Sequence, residues 1–156
     1  MKITAVDTSI LLDILIPNQI FIENSLKKLV SAANDGLVIV CDLVYAELTS
    51  QFNSINDLNK FLLETHLTIN TITQETLFYA GQLWSSYKEK KIKKYYCPSC
   101  GSNIKIKCDN CQCEIETPKR ILNDFIIGAH ATKQASGLLT RDRGFYRHYF
   151  KNLNIV

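Results

Sequence analysis

The chain has 156 residues, 46% hydrophobic and 21% charged, with a formal net charge of +3. These proportions exclude a disordered polymer, a collagen-like fibre and a low-complexity tail, and the length suits one compact domain. The longest unbroken apolar run, 37–41, is far short of the roughly 20 residues a membrane-spanning helix needs.

Near the N-terminus, Asp7 and Asp13 interrupt the apolar stretch and Lys2 is its one basic residue, which is not a signal-peptide pattern. A soluble, cytoplasmic protein with no membrane association is expected. Residues 3–6 read as a buried strand ended by Asp7, followed by helices over 9–15, with Ser9 sharing the cap, and 20–34. A second buried strand, 37–41, ends at Asp42, the expected cap of a helix over 43–52. Further on come a helix over 55–66, a strand over 67–72 and a helix over 75–91. The C-terminal part predicts a helix over 119–136, a strand over 137–140, a helix over 143–149 and a closing strand over 153–156. Strands alternating with helices predict an α/β fold, a three-layer α/β/α domain with a parallel sheet. Ligands in such sheets collect outside the carboxyl ends of the strands. Residues 93–118 break the pattern with crowded cysteines, Pro98 and Pro118. They are expected to be an insertion, so that 1–92 and 119–156 form one domain.

Four acids fall at the edge this topology selects. Asp7 follows the first strand, and Asp142 follows the strand over 137–140; either alone is an ordinary helix cap. Glu47 lies one turn beyond Leu43 and Val44, on the apolar side of its helix, where a carboxylate is costly unless paired or bound to a cation. Asp124 shares a stripe with Gly128, Ala131 and Ala135, opposite an apolar stripe of Leu122, Phe125, Ile126 and Ala129. The small-residue stripe would let that face approach the sheet. Four converging carboxylates repel one another unless divalent cations neutralise them. Oxygen-rich sites suit Mg²⁺ or Mn²⁺, whose chemistry on phosphate oxygens is phosphodiester hydrolysis.

The segments Asp7-Thr8-Ser9, Leu43-Val44-Tyr45-Ala46-Glu47-Leu48, Asn123-Asp124-Phe125-Ile126-Ile127-Gly128-Ala129 and Leu139-Thr140-Arg141-Asp142-Arg143-Gly144-Phe145 occur in that order. Together they resemble the four signatures of PIN-domain ribonucleases, and within that family the VapC-type toxins. The resemblance implies that Asp7, Glu47, Asp124 and Asp142 hold Mg²⁺ or Mn²⁺ and that the activity is metal-dependent endoribonucleolytic cleavage. It implies that Ser9 and Thr140 orient the acids through their hydroxyls. A small antitoxin partner and a homodimer are expected on the same ground. Gly128 stands where the family often has alanine, read here as a neutral change.

Five of the six cysteines lie between Cys97 and Cys113. Cys97-Pro98-Ser99-Cys100 and Cys108-Asp109-Asn110-Cys111 form two Cys-x-x-Cys steps seven residues apart, a spacing that resembles a zinc ribbon. Cys97, Cys100, Cys108 and Cys111 are the expected Zn²⁺ ligands. Gln112 replaces the glycine usual after a knuckle, so Cys113 is an alternative ligand, and an iron–sulfur centre needs the same thiolates. Ile104 and Ile106 are expected to pair with 113–116, making a ribbon too small to fold without metal. Cys41 is read as a buried hydrophobe.

Between Lys88 and Lys107 there are seven lysines and one acid, Glu89, interleaved with Tyr95 and Tyr96. Basic residues neutralise phosphates and aromatic rings stack on bases. Lys91, Lys93, Lys94, Tyr95 and Arg143 are therefore the candidate RNA contacts; a solvated lysine face and a purely structural staple are the bland alternatives. His66, His130 and His148 lack metal-ligand spacing and are assigned to polar surface. Leu77, Phe78, Leu83 and Trp84 are assigned to core or a dimer face. No G-x-S-x-G elbow or Gly-rich phosphate loop occurs. Competing readings are an RNA-processing PIN nuclease and a catalytically silent RNA- or protein-binding module.

Overall fold

The computed structural model describes residues 2–16, 20–89, 95–96, 100, 103–113 and 122–156, with backbone alone at 88–89, 95–96 and 103–104. Strand β1 (Lys2–Val6) is followed by helices α1 (Thr8–Leu15) and α2 (Ile22–Asp35), then strand β2 (Gly36–Cys41). Helix α3 (Asp42–Leu48) runs into a 3₁₀ turn, Thr49–Gln51, and α4 (Ile55–Glu64) leads to β3 (Leu67–Asn70). Helix α5 (Gln74–Glu89) precedes the short strands β4 (Tyr95–Tyr96) and β5 (Asn103–Ile104). Helix α6 (Leu122–Gln134), strand β6 (Gly137–Leu139) and helix α7 (Arg143–Tyr149) complete the order.

Among the described residues, β1, β2, β3 and β6 form a parallel sheet in the order β3-β2-β1-β6. Val38, Ile39, Val40 and Cys41 are all buried, the continuous apolar run of a strand covered on both faces. Helices flank the sheet, with α1 against α2 and α5 against α6. No helix among the described residues is long and apolar enough to cross a membrane.

Local chemistry sets several boundaries. Ser54 caps α4, accepting from the Asp57 amide at 3.2 Å and donating to Asp57 Oδ2 at 2.7 Å. Helix α3 stops at Leu48, short of the predicted 52, as Thr49 and Ser50 hydroxyls turn back onto the Ala46 and Glu47 carbonyls. The cap of α3 is Cys41, not Asp42, whose Oδ2 instead accepts from the Ile72 amide at 2.8 Å. That bond takes the Ile72 N–H away from the sheet, so β3 ends at Asn70 rather than 72. The expected closing strand over 153–156 reduces to one parallel bridge, Leu138 to Ile155. Ile104 pairs antiparallel with Tyr95, and most of its expected partner stretch, 113–116, lies outside the described residues.

Two readings of side chains also change. Gly128 is not a neutral position, because it meets the Phe150 ring: a Cβ there would lie 2.4 Å from Phe150 Cε2 and Cζ. His130 is not on the surface; it is 1% exposed, with Nε2 2.9 Å from Asn70 Oδ1. Cys41 is a buried free thiol. Leu83 and Trp84 pack against the core, and Leu77 and Phe78 are exposed.

Candidate active site

Val6 is paired with Leu139, so the residues that follow, Asp7 and Thr140, leave β1 and β6 side by side. The chain runs from β1 outward to β2 and β3 on one side and returns to β6 on the other. This is the crossover crevice at which open α/β sheets bind ligands. Thr140 Oγ1 donates to Asp7 Oδ2 at 2.7 Å, and Ser9 Oγ donates to the same oxygen at 2.7 Å. Ser9 therefore orients Asp7 instead of capping α1. Asp7 is itself the N-cap residue, with no side-chain cap bond. Burial pushes the Asp7 carboxyl above its usual range; the Thr140 and Ser9 hydroxyls oppose this, and the Glu47 charge reinforces it.

Glu47 is half-buried on α3 and tied between two other helices. Thr8, at the start of α1, donates to Oε2, and Asn123, at the start of α6, donates to Oε1 at 2.9 Å. Asp142 caps α7, accepting from the Phe145 amide at 3.2 Å. Its own amide donates to Thr140 Oγ1 at 3.0 Å, so one hydroxyl links Asp7 to Asp142. Asp124 sits in the first turn of α6 beside Asn123.

Tyr146 on α7 is buried. Burial, then the charges of Asp7, Asp124, Asp142 and Glu47 in that order, push its phenol pKa far above the usual range. The arrangement is looser than a closed metal cage: among the described residues, no three His, Cys, Asp or Glu side chains stand close enough to hold one ion. The donor chemistry, all oxygen and negative, is of the kind that takes Mg²⁺ or Mn²⁺.

Arg141 forms the rim. Its guanidinium reaches Asp13 Oδ1 at 3.3 Å and lies 4.6 Å from the centre of the Phe21 ring. Asp13 is buried and also accepts from Ser25 Oγ at 2.7 Å. Ser9, Phe21, Arg141 and Asp142 line an open cleft. Arg143 is exposed on the first turn of α7; burial and then its charge lower the Lys28 pKa. Lys91, Lys93 and Lys94 lie outside the described residues, as does the Tyr95 side chain. Sequence reasoning passed over Thr8, Asn123, Asp13 and Tyr146. Thr8 and Asn123 adjoin quoted acids, which was the available signal; Tyr146 carried none.

Cys97 also lies outside the described residues. Cys108 and Cys111 form a tight turn, in which the Cys108 thiol is held below its usual pKa by the backbone amides of Cys111 and Asn110 and by the Cys111 side chain. The Gln112 amide donates to the Cys108 carbonyl at 2.8 Å, and the Cys108 amide to the Cys113 carbonyl at 2.9 Å. Gln112 adopts φ 59°, the left-handed conformation that a glycine would supply there. Cys100 and Cys113 are exposed.

A family model described as the PIN domain matches residues 4–151. Among solved structures, the fold is similar to VapBC2 from Rickettsia felis, in a crystal structure bound to a DNA fragment from their promoter. That match has a TM-score of 0.61 at 19% identity and covers 99% of this chain and 97% of that one. No curated protein matches the sequence.

Proposed function

The chain belongs to the PIN-domain family, and from that premise we propose that it is a metal-dependent endoribonuclease, a VapC-type toxin that hydrolyses RNA phosphodiester bonds. Asp7, Glu47, Asp124 and Asp142 are the residues that would hold Mg²⁺ or Mn²⁺. The observation that carries this reading is Asp7: a buried carboxylate at the sheet crossover, driven up in pKa by burial and by a second carboxylate. Such a group is stabilised by a divalent cation. When bound, the ion supplies positive charge for phosphate oxygens and for an attacking water.

The protein's own contribution is placement. Ser9 and Thr140 fix Asp7, Thr8 and Asn123 fix Glu47, and the first turn of α7 fixes Asp142. Arg143, with Lys28 nearby, and Arg141 give positive charge at the rim toward an RNA backbone. Lys91, Lys93, Lys94 and Tyr95 are the further RNA contacts of this reading, through charge and base stacking. The partner is a small antitoxin protein, a reading supported by the likeness to a VapBC assembly, and the active form is a homodimer.

The segment 93–118 is an insertion in the domain formed by 1–92 and 119–156. Zn²⁺ is its structural metal, with Cys97, Cys100, Cys108 and Cys111 as ligands. The Cys108–Cys111 turn supports Cys108 as a member of this set, because the backbone amides of Cys111 and Asn110 hold its thiol below the usual pKa. The test of the nuclease reading is purified protein with total RNA, with and without EDTA. Cleavage that stops in EDTA and is lost in Asp7→Asn and Asp124→Asn is expected. Cleavage that survives EDTA, or equal activity in the variants, refutes it.

A further inference from the structure

Tyr146 lies one turn beyond Asp142 on α7, its amide directed at the Asp142 carbonyl. A helical side chain leans toward the helix N-terminus, which for α7 is the end capped by Asp142. The residue is 1% exposed, and among the described residues its hydroxyl has no hydrogen-bond partner. Packing does not explain that hydroxyl. Tyr146 sits among aromatic rings, 5.0 Å from Phe145 and 6.0 Å from Phe150 between centroids, where phenylalanine would serve as well. A buried O–H left unpaired is costly, and such a group in a folded protein calls for an explanation.

We propose that Tyr146 is a positioning residue of the metal centre, its unpartnered hydroxyl donating to a metal ligand, either a carboxylate oxygen or a coordinated water, once a divalent ion is bound. The inference rests on the metal-dependent reading above. A phenol hydroxyl suits the role because it can donate a hydrogen bond, and it stands one turn from Asp142. Hydrogen bonds to the ligands of a metal set their orientation and basicity, and losing one typically costs 10- to 100-fold in affinity.

Two measurements on the full chain test this. Mn²⁺ binding is followed by electron paramagnetic resonance in the wild type, Tyr146→Phe and Asp124→Asn, and urea unfolding is followed in metal-free buffer. Tyr146→Phe should bind Mn²⁺ about 10-fold more weakly, with metal-free stability equal to or above that of the wild type. Unchanged affinity overturns the proposal, and so does weaker binding accompanied by lower metal-free stability. Absence of Mn²⁺ binding in the wild type, or binding unaffected by Asp124→Asn, refutes the metal reading itself. If Tyr146→Phe does not fold, replacement of Tyr146 by 3-fluorotyrosine decides. That ring keeps the hydroxyl as a stronger donor, so tighter Mn²⁺ binding supports the role and unchanged binding overturns it.

Discussion

Thr140 and Asp7 are 133 residues apart in sequence, yet the Thr140 hydroxyl donates to Asp7 Oδ2 at 2.7 Å. The same hydroxyl oxygen accepts from the Asp142 amide at 3.0 Å. The parallel register of β1 and β6 makes this unavoidable, since both residues come one step after a paired position, Val6 with Leu139. Thr140→Val keeps the shape and removes both bonds. RNA cleavage should fall about 10- to 100-fold. Equal kcat in the variant, with its fold verified by circular dichroism, would show that the hydroxyl is dispensable.

Burial, against the Thr140 and Ser9 hydroxyls, and the Glu47 charge oppose ionisation of Asp7, so its charge is expected to cost stability in the metal-free protein. Asp7→Asn should raise the metal-free Tm by a few degrees, as about 1 kcal/mol corresponds to about 2–4 °C at this size, and abolish cleavage. Scanning calorimetry in EDTA reads the first effect. A lower Tm for Asp7→Asn would mean that the carboxylate is a net structural asset.

Gly128 allows the Phe150 ring to touch α6. Gly128→Ala gains helix propensity, about 1 kcal/mol, but puts a methyl 2.4 Å from two ring carbons of a buried side chain. Overpacking of this kind costs about 1–3 kcal/mol, so a net loss of stability is expected. Adding Phe150→Leu to Gly128→Ala should recover part of it in urea unfolding. Additive losses in the double variant would mean the two positions do not compete for space.

His130 links α6 to β3 through Asn70, whose Oδ1 also accepts from Gln134 Nε2 at 2.8 Å. An oxygen there requires His130 Nε2 to donate. Burial lowers the His130 pKa, against smaller opposing effects of the Asp42 charge and Asn70. The folded state therefore binds the proton less well than the unfolded chain. This contribution to stability is complete above the ordinary histidine pKa of 6.5 and is lost as the pH falls from there toward the lowered folded value. His130→Gln retains a donor without titrating. Comparing urea unfolding at pH 7.5 and 5.5 should show a smaller acid-side loss in the variant, and equal losses would contradict the assignment.

The Cys108–Cys111 turn predicts tightly held metal. Elemental analysis after dialysis should find one zinc per chain, lost in Cys108→Ser and retained in Cys113→Ser. Zinc lost in Cys113→Ser and kept in Cys111→Ser would reassign the ligand. A coloured iron centre in anaerobically purified protein would replace zinc altogether.

The strand–helix alternation, the parallel sheet and the edge at which Asp7 and Asp142 emerge are written in local sequence, because burial on one face or two leaves a period along the chain. The pairing of Ser9 and Thr140 with the acids was legible only through the resemblance of those segments to a known family. What the pattern does not carry is which distant group answers each side chain. Thr8 and Asn123 meet at Glu47, Phe150 fills the space over Gly128, and Asn70 receives His130 only after helices and strands have packed. The end of β3 was misread because the Asp42 carboxylate captures the Ile72 amide, 30 residues away. Tyr146 carried no signal in the sequence. That its buried hydroxyl is without a partner among the described residues is a property of tertiary packing, since hydrogen-bond satisfaction depends on distances through space rather than spacing along the chain.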